Sequence, residues 1–275
     1  MTERLVHAGR VANRSAVVNV MVGAASRAAR GLNRDFGEVQ NLQVSERGPD
    51  AFAAAAVARA GEVLAAELRR ARRGFAYLAG GRSGGNGAGQ ARDSWLVEAL
   101  DGADNYRHGL PWFAIVIAAR EGGTITAAVI YEPLRDELFW AERGRGAYVN
   151  NQRLRVSARA TLASALVATC ITGGDDAESA GLRVAAAGRV AGLRETGAPA
   201  LDLAAVAAGR FDGFWGAGLS PATAEAGALL VREAGGLVEE RGEAAGARRT
   251  LLAANPRLAA ALGAMFGASD DAGHG

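Results

Sequence analysis

WLVEALDGADNYRHG, running from Trp95 to Gly109, carries an apolar run, Trp95, Leu96 and Val97, up to two carboxylates, Glu98 and Asp101, and then to Gly102. Such a run reads as a buried strand whose last residues are polar, and the carboxyl ends of strands are where α/β folds place ligand sites. Two carboxylates with free backbone N–H groups behind them could hold Mg²⁺ and a phosphate together, because hard cations take oxygen ligands and amide nests take anions. A solvated acidic turn after a buried strand accounts for the same residues.

On the amino-terminal side, Ser15 to Leu32 reads as a helix, with Ser15 as its N-cap and Val18, Met21, Val22, Ala25 and Ala28 on one face. Asp50 reads as the cap of a second helix, Ala51 to Arg73, whose basic end ELRRARR suits the negative pole of the helix dipole. Strands are expected at Gly74–Ala79, Trp95–Glu98, Trp112–Arg120, Ile125–Tyr131 and Glu137–Ala141, the third and fourth joined by a turn at Glu121-Gly122-Gly123. From about residue 160 the pattern changes. Apolar runs near Leu166, Leu193, Phe211, Leu237 and Leu251 alternate with expected helices at Ala177–Arg189, Pro199–Ala208, Pro221–Ala234 and Pro256–Met265, which implies an α/β layer.

Composition narrows the function classes. With 275 residues, 49% of them hydrophobic, the chain can bury a sizeable core as one large domain or two coupled subdomains. The single cysteine, Cys170, excludes an internal disulfide framework and a cysteine metal cluster, and reads as a small buried residue at a strand end. No apolar run reaches the roughly eighteen residues of a membrane span, and the first residues lack the apolar core of a signal peptide. A cytoplasmic protein without membrane association is expected. All 31 basic residues are arginine, yet the net charge is only +2, so the charge does not point to nucleic acid as a partner and the arginine content reads as genome bias. Arg69, Arg70, Arg72 and Arg73 read as a solvated helix end.

The motif resembles the signature of the inositol monophosphatase family, W-[IV]-[IV]-D-P-[IL]-D-G-T-x-N-[FY]-x-x-G, with Trp95, Leu100, Asp101, Gly102, Asn105, Tyr106, His108 and Gly109 in register. YEPLRDELFWAERGRGAYVNNQRLRVS (Tyr131–Ser157), ETGAPALDLAAVAAGRFDGFW (Glu195–Trp215) and LSPATAEAGALLVREAGG (Leu219–Gly236) are similar to further blocks of that family. The resemblance covers most of residues 95–260, and residues 1–94 match loosely. It implies an α/β fold, the layered α-β-α-β-α sandwich, with an antiparallel-sheet α+β half over residues 1–158 and an α/β half over residues 159–275. It also implies Mg²⁺-dependent hydrolysis of sugar phosphates at a site between the halves, where the ions activate water and neutralise the leaving oxygen.

Residue by residue, that chemistry is depleted. The family's D-P-[IL]-D pair falls on Glu98 and Asp101, so one ligand is lengthened by a methylene and its carboxylate displaced by on the order of 1.5 Å. The family's Glu-Glu pair falls on Gly80 and Gly81, and the water-orienting threonine on Ala103, followed by Asp104. The metal-binding aspartate of W-D-x-A-A-G falls on Thr223, which reads as a helix cap. Glu225 lies about 200° further around that helix and points away. Upstream, the family's aspartate matches Ala51, with Asp50 one residue early, and the sugar-contacting glutamate is Gly216.

Asp and Glu total 29, so a general loss of acidic residues does not explain these gaps. The scaffold residues Trp95, Gly102, Asn105, Gly109, Gly197, Leu201, Asp202, Gly209, Asp212 and Gly213 remain. The resulting expectation is a pseudophosphatase with Asp101 as the vestige of the catalytic site and Glu98 and Asp101 as the remaining metal-ligand positions. Mg²⁺ is the cofactor if there is one. Gly102, Ala103, Gly197 and Ala198 are left to contact a small phosphate ligand. Such a protein would act as a homodimer, or as a heterodimer with an active relative, through protein interaction.

Two alternatives stay open. One is a weak phosphomonoesterase with a site rebuilt on Glu98, Asp101, Asp104 and Asp50. The other is a regulatory partner in RNA-polymerase and ribosomal-RNA transcription, as for some bacterial family members. Lesser motifs add little: the glycine-rich loop Gly80–Gly89 reads as a connector, His7 is isolated, His274 lies in a polar tail, and His108 is expected to pack or hydrogen-bond near the motif turn.

Overall fold

The computed structural model describes residues 13–45, 48–80, 91–171, 176–241 and 250–267. Its first layer is a helix pair. α1 (Ala16–Leu42) starts at Ser15, whose hydroxyl accepts the Val18 N–H at 3.3 Å, and it continues past the expected end at Leu32. It continues because Leu32, Phe36 and Val39 extend the same apolar stripe and are buried. α2 (Asp50–Ala71) packs on it through Ala53, Ala56, Ala60, Leu64 and Leu68. Asp50 is not the cap: Pro49 holds that position and Asp50 is the first helical residue, where a negative charge suits the helix dipole. Between the two helices the buried Asp35 receives Arg34 and Arg59, each at 2.8 Å.

A seven-stranded sheet lies beneath, in sequential order β1 (Ala76–Ala79), β2 (Ser94–Asp101), β3 (Ala114–Glu121), β4 (Thr124–Glu132), β5 (Glu137–Glu142), β6 (Gly146–Val149) and β7 (Gln152–Arg153). The sheet is antiparallel from β2 to β7, as expected, and β1 runs parallel to β2 at its edge. Gly122 and Gly123 take positive φ in the expected turn between β3 and β4. α3 (Ala103–Arg107) follows β2 directly.

The second sheet has the order β11 (Leu237–Arg241), β12 (Thr250–Ala254), β10 (Gly213–Ala217), β8 (Leu166–Ile171) and β9 (Gly192–Arg194). Its β10, β8 and β9 are parallel, while β12 runs antiparallel to both of its neighbours. The interleaved helices are α4 (Asp176–Ala186), α5 (Pro199–Ala207), α6 (Pro221–Glu233) and α7 (Ala259–Gly267). α7 begins later than expected because the Asn255 side chain accepts the Arg257 and Leu258 N–H groups and holds the chain in a turn. α4 ends before the expected Arg189, ahead of Gly188 at φ +69°.

The layers follow from which faces are apolar. Every residue of α5 from Ala200 to Ala207 is buried, as a helix between two sheets requires. Around α5 and α6 one core joins Leu96, Val116 and Ile130 of the first sheet to Leu203, Val206 and Leu230 and on to Phe214 and Leu251 of the second. A second core seats α1 and α2 on Trp95, Ile115, Ile117 and Trp140. A third places Leu262, Met265 and Phe266 of α7 against Trp215. The order is therefore α-β-α-β-α, a layered α/β fold.

Candidate functional site

β2 delivers the site. Its side chains alternate, so Trp95 and Val97 join the outer core while Leu96 faces the middle helices, and Glu98 follows Leu96 on that face. The pairing of β2 with β3 then slips between Glu98 and Asp101, which re-aims the end of the strand. Gly102 turns the chain at φ +84°, where a Cβ would stand 2.8 Å from the Trp112 carbonyl oxygen. One turn on, Asn105 donates through Nδ2 to the carbonyls of Trp112 and Thr196, both at 2.8 Å, and so ties this corner to the segment before α5. Gly197 passes at φ +76° against the Asn105 amide, 3.1 Å from where a Cβ would be.

Asp101 is buried at that junction with both carboxylate oxygens engaged. Oδ1 accepts the Ala200 N–H of α5 at 3.1 Å, and Oδ2 accepts the Thr223 hydroxyl of α6 at 2.9 Å. Burial pushes its carboxyl up to about 7; the two hydrogen bonds oppose that shift and the nearby Glu98 adds to it. Glu98 is raised too, by burial, against a hydrogen bond from Ser220. Ser220, not Thr223, is the N-cap of α6: its side chain accepts the Thr223 N–H at 3.2 Å. Its hydroxyl also lies 3.1 Å from Thr223 Oγ1. Asp101 is therefore met by a hydroxyl from the first turn of α6, which the cap residue Ser220 backs.

Other expected residues are dispersed. Asp104 and Asp50 meet on Arg107, at 3.0 and 3.6 Å, with exposed side chains, and so do not converge on Asp101. Glu225 stands 3.8 Å from Arg120 of β3. Ala103 is exposed at the start of α3, and the buried Ala198 directs its N–H to Thr196 Oγ1 at 3.2 Å. At position 216 a Cβ would come within 2.5 Å of the Phe214 ring, so no side chain fits there without moving that ring. His108 is exposed at the end of α3 rather than packed. Arg69 and Arg72 lie over the rings of Tyr77 and Phe75, at 5.1 and 5.3 Å, and Arg70 pairs with Glu67. Gly81, His7, His274 and most of the glycine-rich loop lie outside the described residues.

Sequence reasoning missed the part played by Ser220, Thr196 and Asp202. Asp202 is fully buried, accepts Thr196 Oγ1 at 2.7 Å on Oδ1, and has no hydrogen-bond partner on Oδ2. Burial pushes it to about 7, with Asp101 adding to the shift. The spacing S-x-x-T ahead of an apolar helix signals a cap; nothing in it signals that the threonine hydroxyl leaves its own helix. A cavity of about 210 Å³ beside this corner is lined by Thr169, Cys170, Ile171, Arg183, Glu195 and Gly197. Cys170 is half-buried there, its thiol pushed up to about 12 by burial and then by Asp101, Asp202 and Glu195.

Mg²⁺ requires near-octahedral oxygen ligands at about 2.1 Å and keeps several waters. The side chains present do not fit that demand. Each oxygen of Asp101 already accepts one protein donor in a buried setting, and the one other carboxylate of β2, Glu98, is also largely buried. Among the described residues, no three His, Cys, Asp or Glu side chains converge to hold a metal ion. Among the same residues, no helix is long and apolar enough to cross a membrane.

The model of the inositol monophosphatase family matches residues 13–268, which includes the amino-terminal region that the sequence motifs matched loosely. An inositol-1-monophosphatase of Mesorhizobium japonicum is 47% identical over 82% of this chain and 86% of its own length. The Nus factor SuhB of Escherichia coli is 34% identical over 90% of this chain and 94% of its own. Among solved structures, the extragenic suppressor protein suhB of Bartonella henselae is 40% identical, covers 92% of this chain and 98% of that one, and superposes with a TM-score of 0.79.

Proposed function

Because the chain belongs to the inositol monophosphatase family, we propose that it serves as a non-catalytic member that acts by protein association instead of by Mg²⁺-dependent phosphate release. One observation carries this reading: among the described residues no third histidine, cysteine or carboxylate joins Glu98 and Asp101 to hold a metal ion, and Asp101 is bonded instead to Ala200 and Thr223. In-line attack assisted by metal ions needs carboxylates free to hold those ions. The rebuilt-site alternative loses support because Asp104 and Asp50 are held by Arg107 on the surface. The test is phosphate release from inositol 1-phosphate in the presence of Mg²⁺, for the natural chain and Asp101→Asn. No release above blank from either is expected. Mg²⁺-dependent release that Asp101→Asn abolishes would overturn the reading.

Relatives named Nus factor SuhB favour one class of partner, the transcription machinery. Capture of RNA polymerase by the tagged chain at physiological salt is the expected result. Sedimentation of the free chain would show in parallel whether it associates with itself. Failure to bind polymerase would remove this assignment without restoring catalysis.

A further inference from the structure

We propose that the Thr223 hydroxyl, seated by Ser220, is a metal-free latch that closes the two halves of this fold, residues 1–158 and 159–275, on each other. The inference rests on the same reading of Asp101 as the proposed function, and goes beyond it in assigning the mechanical role of the residues that stand where the family resemblance calls for cations.

The geometry supports a latch. Asp101 ends β2 of the first sheet, and its two oxygens are bonded to two different helices of the middle layer, to Ala200 at 3.1 Å in α5 and to Thr223 at 2.9 Å in α6. Thr223 is 1% exposed and Asp101 6%, so no solvent competes for the bond. A cation between these elements would hold them by attracting carboxylates from both sides. Here a donor from one side meets an acceptor from the other, and the chain supplies both. Ser220 fixes the donor: it caps α6 by accepting the Thr223 N–H at 3.2 Å, and its hydroxyl 3.1 Å from Thr223 Oγ1 orients that group towards Asp101. Around the corner, Asn105 adds the bonds to Trp112 and Thr196, and Leu96 with Leu203 and Leu230 supplies the apolar contact that keeps water out.

Thermal unfolding of the natural chain, Thr223→Val and Thr223→Ser, each in EDTA and in 10 mM Mg²⁺ as roughly ten times a millimolar affinity, tests the latch. The natural chain is expected to unfold at the same temperature in both buffers. Thr223→Val, which keeps the shape and removes the donor, is expected to unfold about 3–10 °C lower in both buffers. Thr223→Ser, which keeps the hydroxyl, is expected to stay within about 3 °C of the natural chain. A rise in the natural chain's midpoint on adding Mg²⁺ would overturn the inference and needs no variant to be folded. A Thr223→Val midpoint equal to that of the natural chain would overturn it as well. Phosphate release is not read, so turnover without a latch and a latch without turnover give separate results.

Discussion

Thr223 of α6 donates its hydroxyl proton to Asp101 of β2 across 2.9 Å, a bond that joins residues 122 positions apart in the chain. Asp101 is held open to α6 by the turn at Gly102, and Thr223 is presented by the cap at Ser220.

Gly102 is the first point of sensitivity. At φ +84° a side chain there is strained, and its Cβ would also press on the Trp112 carbonyl oxygen at 2.8 Å. Gly123, at φ +85°, has nothing near the position of a Cβ and isolates the backbone effect. Gly123→Ala should lose about 1 kcal/mol, and Gly102→Ala at least about 2 kcal/mol more, because rigid backbone must move. Urea unfolding of both variants measures the difference; equal losses would show that the close approach has no energetic weight.

The buried Asp212 organises the start of the second half. Its carboxylate accepts Ser157 Oγ at 2.6 Å and the Leu166 N–H at 2.7 Å, and pairs with Arg159 at 3.1 Å. Replacing it by alanine strands a hydroxyl and a strand amide in a dry setting, a loss of about 3 kcal/mol. Chemical denaturation of Asp212→Ala is the measurement, and a change below about 1 kcal/mol would contradict the assignment.

Stability should depend on pH through Glu132 at the end of β4. Burial pushes its carboxyl from 4.5 up to about 7, Arg135 opposing. Above about pH 4.5 the unfolded chain gives up this proton while the folded chain keeps it, so the raised value favours folding most in acid. That contribution is whole below the unfolded value and is lost as pH climbs through 7. Glu132→Gln cannot ionise and should flatten the profile between pH 4.5 and 8 by on the order of 2 kcal/mol. Parallel profiles for the two proteins would remove Glu132 from the account.

Arg107 gathers Asp50 and Asp104 on the surface. Exposed pairs of this kind contribute little, so Asp104→Asn and Arg107→Ala should each change stability by less than about 1 kcal/mol. Neither should alter Mg²⁺ binding measured by calorimetry. A Mg²⁺ signal that Asp104→Asn abolishes would revive a rebuilt metal site.

Much of the architecture was legible because it is local. The apolar spacing of Val18, Met21 and Ala25, the turn at Gly122-Gly123, and the alternation of runs from Leu166 to Leu251 each report a buried face or a chain reversal within a few residues. α1 runs beyond Leu32 because Phe36 and Val39 carry its apolar stripe on, and the intervening Asn33, Arg34, Asp35 and Gly37 obscure that spacing until Phe36 is seen against Tyr106 and Phe113. The parallel β1 was equally out of reach, since strand direction depends on the partner chosen and not on the strand's own side chains.

At the site, the amino-acid sequence alone determined which carboxylates the chain carries around Asp101 and which family frame surrounds them, because residue identity and short spacing suffice for both. The tertiary structure alone decided what those carboxylates bond. Thr223 read from its neighbours is a helix cap, and Glu98 and Asp101 read from theirs are ligands awaiting a cation. Packing of α5 and α6 between the two sheets brings Ala200 and Thr223 to Asp101 instead. A hydrogen bond between elements so far apart in the chain is set by how the layers stack, and no local pattern encodes that distance.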